Sequence, residues 1–352
     1  MVTIDAATLG RRVLRARRDA GLSQQELAVR AGISRQAVGA LEAGQHLPRV
    51  DAAAALAQAL NVGLSDLVAP TDGSRLHAAH VLFGELRDLQ PVRAARVGER
   101  QVCVPASSFA DGESWSSPDG VLRDGLVEVL AGADLDAFVV VGCDPAMGIL
   151  AELAPSAGPG RVLPVTASSG LAVRALSSGR AHAAVVHGRA EVVGGASDGH
   201  SAASGLPGGH RLPLARWRTG LAVDHDRRGA LDDALGGRGP VVQRDAGAAA
   251  QAAYERALAA AGHAVPDGPI AAGHLDAARL AVATGRAAVT IEPIATALGL
   301  VFHPLETHVV SLHVGADHVD HPGAAAVGEV LNSARFRRRA SAFGGYDVAG
   351  AA

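Results

Sequence analysis

Apolar residues recur at helical spacing through the first seventy positions and gather into short unbroken runs after residue 136. Leu9, Val13 and Ala16 mark one stripe of a helix from about Ala6 to Asp19, and Gly21 stops it. Ser23 caps a second helix, with Glu26 placed to complete a capping box, and Gly32 ends it. Ser34 opens a third short helix that reaches about Ala43. Gly44 stops it and Pro48 marks a loop. A fourth helix spans about Val50 to Leu60, and Leu64 to Val68 reads as a last turn. Ala69-Pro70-Thr71-Asp72-Gly73 closes the region.

Residues 74–90 read as a linking helix, and 96–135 as a small β-rich segment broken by Gly, Ser, Asp and Pro. From 136 the pattern alternates. AFVVVGCD is a strand and PAMGILAEL a helix; RVLPVTA is a strand and SGLAVRALSSG a helix; AHAAVVHG is a strand. The stretch 189–210 is rich in Gly, Ser and His and reads as a loop. RLPLARWRTGLAVD is a long strand or strand pair, followed by GPVVQRD, a helix over 247–262, PIAAG, HLDAARLAVATG, AAVTI and EPIATALG. LVFHPLETHVVSLHV supplies one or two strands, and a single helix closes the chain over about 322–343. Such alternation predicts parallel sheets with helices on both faces, and the excursion and return predict two lobes.

Length divides the chain further. At 352 residues it exceeds one ordinary core, so we read residues 1–70, 71–135 and 136–352 as successive regions, with a second lobe at about 215–302. The net charge of −3 does not announce a polyanion partner, yet residues 1–50 hold eight Arg against four acids. Only this end is placed to meet nucleic acid. The chain has no Lys, a compositional bias that says nothing about any one contact. Its two cysteines, Cys103 and Cys143, make no disulfide framework. No secretory signal and no apolar run of membrane-spanning length is found, so a cytoplasmic location without membrane contact is expected.

The stretch SQQELAVRAGISRQAVGALEAGQHLPRVDAAAALAQAL resembles the lambda-repressor-like, or XRE, helix-turn-helix family. Ala28 and Gly32 are small enough for two helices to cross closely. Ile33, Val38 and Leu41 bury one face of the third helix, and Leu27, Leu56 and Leu60 complete a core. The opposite face, Ser34, Arg35, Gln36 and Gly39, is polar or small, as a major groove requires. Arg35 and Gln36 are the candidates for base contacts, since Arg pairs with guanine and Gln with adenine. Ser34 caps the helix and can reach a phosphate. Arg11, Arg15 and Arg49 are candidate backbone anchors. By the family's pattern, Gln24 meets a phosphate or base edge. The implied partner is a double-stranded DNA operator, bound by a homodimer.

Residues 136–348 resemble the periplasmic-binding-protein-like domain related to molybdate-binding proteins, through VVVGCDPAMGILAEL, PVTASSGLAVRALSSGRAHAAVVHG, VVQRDAGAAAQAAYERAL, GHLDAARLAVATGRAAVTIEPIATALGLVFHPLE and the final FGGYD. The fold class that follows is an all-α helix-turn-helix domain followed by a two-lobed α/β domain of type II, its lobes joined by crossing strands with a ligand between them. The residues point the same way. Ligands in open α/β sheets sit at the carboxyl ends of strands. Cys143 and Asp144, Ser168, Ser169 and Gly170, Arg244, Ala246 and Gly247, and His274 with Glu292 all fall at such ends. Two helix starts and Arg244 suggest a small anion. Where relatives carry a richer Gly/Ser loop this chain has RDAGAAAQ, which leaves a molybdate-like oxyanion and an organic anion both open.

No cofactor motif, nucleophile motif or metal spacing such as HExxH appears. His313, His318 and His321 come nearest to a cluster and read as solvated loop histidines. The expectation is a ligand-controlled transcription regulator and not an enzyme. The alternatives are an enzyme or carrier of cofactor or oxyanion metabolism, with Cys143, Asp144 and His187 its only obvious catalytic group, or a DNA-binding protein whose lobed domain serves only oligomerisation.

Overall fold

The computed structural model describes residues 6–64, 67, 76–78, 80–108, 114–130, 133–157, 161–189 and 209–348. The chain divides into two compact units, Met1–His77 with Val127–Ala133, and Ala78–Leu126 with Asp134–Ala352.

The first unit holds α1 (Ala6–Asp19), α2 (Gln24–Ala31), α3 (Arg35–Glu42) and α4 (Val50–Leu60). Each begins and ends where its local chemistry requires. Ser23 accepts from the Glu26 amide while Glu26 accepts from the Ser23 amide, the reciprocal box that starts α2. Gly32 takes the left-handed conformation, φ 68°, that stops it. The Ser34 hydroxyl accepts from the Ala37 amide at 3.1 Å and starts α3. Leu9, Val13, Leu27, Val38, Leu41, Leu56 and Leu60 close into one apolar core. Gly10 is needed for the crossing of α1 and α3, because a Cβ there would lie 2.3 Å from the Leu41 carbonyl oxygen. Leu67 joins this core; the rest of the last expected turn lies partly outside the described residues.

Strands β1 (Leu76–Ala78) and β2 (His80–Val81) stand where a linking helix is expected. Strand pairing overrides the helical pattern here: β2 lies parallel to β4 (Arg100–Pro105), His80 against Val102 and Val81 against Cys103. Strand β3 (Pro91–Val97) pairs antiparallel with β4, and β5 (Ser107–Ser108) pairs with β6 (Ser114–Trp115). With β7 (Gly120–Arg123) and β8 (Leu126–Val129), the stretch is β-rich as the pattern predicts. Val97, Val102 and Val104 of β3 and β4 pack with Val139, Leu163 and Ala172 of the following α/β fold.

That fold is built on one mixed sheet. Its strands are β9 (Phe138–Gly142), β10 (Val162–Thr166), β11 (Ala183–Gly188), β12 (Gly209–Val223), β15 (Ala288–Ile291) and β16 (Val301–Gly315), in the order β10-β9-β11-β16-β12-β15. Strands β9, β10 and β11 run parallel to one another. Strands β16, β12 and β15 then alternate antiparallel, so the expectation of wholly parallel sheets is corrected. The cause is the two 15-residue strands, β12 and β16, which pair from end to end with register shifts at Pro213/Ala215 and Thr219/Gly220 and cross from one lobe to the other. The first lobe adds α5 (Ala146–Ala157) and α6 (Ser169–Ser177). The second adds α7 (Gly229–Leu235), α8 (Ala249–Ala260) and α9 (His274–Thr284), with the short parallel pair β13 (Gln243–Arg244) and β14 (Ile270–Ala271); α10 (Glu292–Ala297) follows β15, and its Ile294 packs against the first lobe's core. Helix α7 is not foreseen in the apolar pattern: Ala234 is its one fully buried residue.

The closing helix is two. Helix α11 (Pro322–Asn332) ends at Ser333, whose backbone is extended at φ −78° and ψ 145°. The Ser333 hydroxyl then accepts from the Phe336 amide at 3.0 Å and starts α12 (Ala334–Ser341). Phe138, Leu150, Trp217 and Phe336 centre the core of the first lobe. Val241, Tyr254, Leu258 and Val289 centre that of the second. Of the loop expected at 189–210, residues 190–208 lie outside the described residues.

Candidate functional site

Two sets of polar side chains stand apart from these cores. On the first unit, Ser34, Arg35 and Gln36 are exposed at the start of α3 while Val38 and Leu41 bury its other face. Gly39 lies half-buried, with the Gln24 amide nearest to it. Gln24 is not idle: its Nε2 donates to Glu42 at 2.8 Å. Glu42 also accepts two bonds from Arg17, at 2.5 and 3.0 Å. Burial alone would raise the Glu42 pKa, but the Arg17 and Gln24 hydrogen bonds outweigh it, and the carboxyl titrates below its ordinary range. The trio fixes the end of α3 against α1 and α2. Arg49 is exposed and ion-paired with Asp51 at 3.5 Å, and Arg15 with Asp19 at 4.0 Å. Arg11 is exposed on the same helix as Arg15.

The second set lies where the two lobes of the α/β unit meet. Helix α6 starts with its Gly170 amide donating to the Gly247 carbonyl at 3.0 Å. A Cβ at Gly170 would lie 3.0 Å from that oxygen, so only glycine sits there without displacement. The Ser168 hydroxyl donates to Asp245 at 2.8 Å, and Asp245 also accepts from the Gly247 amide at 3.0 Å. The two helix starts expected to share a crevice are therefore brought together. An anion does not find them bare, because the Asp245 carboxylate already fills the α8 approach. Ala246 is exposed beside it.

Arg244 is 2% exposed, not the surface partner of an acid that its neighbour Asp245 suggests. It donates to the carbonyls of Ala271 and Ala272, both at 3.2 Å, and to Nδ1 of His274 at 2.9 Å. Asp144 is equally committed. It accepts from the Trp217 indole at 2.9 Å, the Tyr346 hydroxyl at 2.6 Å and the Ala146 amide at 2.8 Å. Burial raises its pKa against those three donors, and burial together with the Asp144 charge raises that of Tyr346. The Ser169 hydroxyl accepts from the His187 amide at 3.4 Å. Glu292 sits elsewhere: it pairs with Arg218, its Oε2 2.6 Å from Nε, on the rim of an open hollow lined also by Trp217, Thr307 and Tyr346.

His187, His274, His308 and Trp217 fill the middle of the seam. Ring centroids lie 4.5 Å apart for His187 and Trp217, and 5.6 Å apart for His187 and His274. Burial, reinforced by His308 and Arg244, holds His187 and His274 far below the ordinary histidine pKa, hence neutral. Nε2 of His274 is buried with no hydrogen-bond partner. Cys143 stands at the edge, its thiol pushed up to about 12, chiefly by burial. A thiol so held is a poor nucleophile. His308 and Trp217 escaped the sequence reading although the signal is present. Positions 308, 310, 312 and 314 of β16, and 215, 217, 219, 221 and 223 of β12, all face inward at the two-residue period of a strand. His318 and His321 form a separate group with His182, whereas His313 is bonded to Ser311.

Residues 150–332 match the PBP superfamily domain, and residues 13–67 match the helix-turn-helix family HTH_3. The chain belongs to the PBP superfamily. Its N-terminal unit has a curated relative in Sinorhizobium fredii (strain NBRC 101917 / NGR234), the uncharacterized HTH-type transcriptional regulator y4dJ, 44% identical over 64 residues, 18% of this chain and 83% of the relative. Among solved structures, the restriction-modification controller protein C.AhdI of Aeromonas hydrophila is 34% identical over 18% of this chain and 94% of its own, with a TM-score of 0.17. A putative phosphate ABC transporter substrate-binding protein with bound phosphate, from Clostridium perfringens, covers 60% of this chain and 99% of its own at 11% identity and a TM-score of 0.45. That likeness is too slight to say what this chain binds. This PBP superfamily member is a DNA-binding transcriptional regulator with a PBP-like ligand-binding domain. No helix among its described residues is long and apolar enough to cross a membrane.

Proposed function

We propose that this protein is a one-component regulator: α3 reads an operator through Arg35 and Gln36, and a small ligand taken at the seam of the α/β unit changes operator affinity. The observation that carries the reading is Nε2 of His274, a polar atom buried without a partner where the two lobes meet. A buried, unpaired polar group costs about 1–3 kcal/mol, a cost that a ligand offering it a bond removes. Ser34 positions α3, while Gln24, Gly39, Arg11, Arg15 and Arg49 flank it and serve register and phosphate contact. The pairing of half-sites usual for such readers favours a homodimer. A ligand shifts the operator equilibrium only by its different affinity for the two states, and opening the Ser168–Asp245 and Gly170–Gly247 bonds distinguishes two states of the seam.

The test is footprinting of the full chain on its own promoter region, with thermal-shift screening against metal cations, molybdate, phosphate and small organic anions. One ligand should both raise the unfolding temperature and change operator occupancy. If none stabilises the chain, the lobed unit is an oligomerisation module; if a stabilising ligand returns chemically altered, the protein is an enzyme.

A further inference from the structure

Cys143, His187 and His274 meet in the seam, one ligand-capable atom from each lying within 4.8 Å of the others. Both lobes contribute: Cys143 follows β9, His187 lies in β11, and His274 opens α9 in the second lobe. A chain of hydrogen bonds sets the tautomer of His187. The Glu306 carboxylate accepts from Nε2 of His308 at 3.1 Å, so Nδ1 of His308 accepts, at 2.9 Å, from Nδ1 of His187. Arg256 holds Glu306 in turn, at 2.9 and 2.7 Å. The ring proton of His187 is thereby kept on Nδ1, and Nε2 carries the lone pair. A histidine that donates its other N–H toward a carboxylate is oriented as metal-ligating histidines are. The buried, unpartnered Nε2 of His274 is the independent sign that something is seated beside it.

We propose that Cys143, His187 and His274 bind one soft d10 metal cation, Cu+ in preference to Zn2+. The inference rests on the seam being the ligand seat, and it names the ligand's class. One thiolate and two imidazoles suit Cu+ and Zn2+, and exclude Mg2+ and Ca2+. Coordination number favours the first. Three donors complete a trigonal Cu+, whereas Zn2+ takes a fourth, which here falls to water because the neighbouring Asp144 is already committed to Trp217, Tyr346 and the Ala146 amide.

Capture moves two protons and no electrons between oxidation states. The thiol proton of Cys143 leaves to solvent as a sulfur lone pair forms the bond to the metal. A guanidinium only donates, so Nδ1 of His274 accepts from Arg244 and the ring proton sits on Nε2. That proton passes to Nδ1 as Nε2 turns its lone pair to the metal, and Arg244 is parted from the ring. Arg244 immediately precedes Asp245, whose carboxylate joins Ser168 and Gly247 across the lobes. Metal loading thus reaches the bonds that hold the lobes together.

The test uses the full chain without oxygen, titrated with Cu+ against a chromophoric Cu+ chelator and, separately, with Zn2+ against a Zn2+ chelator. Wild type should retain a single equivalent of Cu+. Cys143→Ala should weaken retention more than about 100-fold and His308→Gln, one shell out, roughly 10–100-fold, while Cys103→Ser leaves it unchanged. X-ray absorption on the Cu+-loaded wild type should show one sulfur and two nitrogen neighbours, a readout that needs no variant to fold. Retention that survives Cys143→Ala, or a shell of other composition, overturns the site. Tighter retention of Zn2+ through the same residues overturns the choice of Cu+. Operator binding with and without Cu+ separates this inference from the reading beneath it. Cu+ held with one sulfur and two nitrogens but no change at the operator removes the regulatory reading and leaves the metal site. A response to molybdate or phosphate without Cu+ retention does the reverse.

Discussion

The face of α3 and the lobe seam handle polarity in opposite ways. Arg35 and Gln36 stand in solvent over a wholly apolar core, so their donors are spent on water until a partner arrives. Asp144, Arg244 and the seam histidines lie inside, bonded largely to one another and to the protein's own backbone, with Nε2 of His274 left without a partner. A surface reader can exchange side chains at little cost to folding. A buried seat cannot, because each group removed strands its partners. The two regions therefore separate function from stability to different degrees, and substitutions can probe that difference.

The largest effect should come from Asp144→Ala. It strands the Trp217 indole, the Tyr346 hydroxyl and the Ala146 amide at once, and should cost about 3–5 kcal/mol in urea unfolding of the α/β unit. A loss under 1 kcal/mol, on the order of a surface change, would mean the buried network is not what holds the seam. Acid comes next. His182 accepts from the Val139 amide at 2.9 Å, and its pKa is lowered, chiefly by burial, to about 3. A group held below its unfolded value of about 6.5 contributes stability that is complete above that pH. That contribution should drain away as the pH falls toward about 3. Urea midpoints measured across this window should decline steadily, and a flat profile would contradict the burial of the ring.

On the reading face, Arg35→Ala with Gln36→Ala should weaken operator binding by about 1–3 kcal/mol for each well-formed bond to a base edge that is removed. The unfolding midpoint should hardly move, which gel shift and denaturation of the same sample would show. Gly170→Ala presses a methyl group on the Gly247 carbonyl and should cost about 1–3 kcal/mol, with the ligand response altered in parallel. Ser34→Ala removes only the cap of α3 and should cost about 1 kcal/mol. If it abolished DNA binding outright, its hydroxyl would have a larger role than capping.

The head was legible because its instructions are local. Ser23, Glu26, Gly32 and Ser34 set helix ends through neighbours three or four residues away, and apolar spacing set the core. The seam was legible in outline: Ser168, Gly170, Arg244, Gly247 and His274 fall at strand ends and do converge, while Glu292 goes to Arg218 at the hollow. What each side chain does there was not legible. Asp144 and Arg244 read as ligand contacts, and the structure commits them to holding the protein. The β12 and β16 ladder escaped a parallel-sheet reading because antiparallel pairing of distant segments leaves no mark within either.

Sequence alone determined two kinds of domain, their helix caps and the polar edge of α3, since those depend on contacts within a few residues and on periodicity. Only the tertiary structure decided that Cys143, His187 and His274 share one space, that Asp245 takes the place of an anion at α8, and that His308 and Glu306 set the tautomer of His187. These follow from segments up to 163 positions apart in the numbering, Cys143 to Glu306, brought side by side by two crossing strands. No local rule ranks such pairings, because their energy appears only once the sheet has closed and water has been excluded.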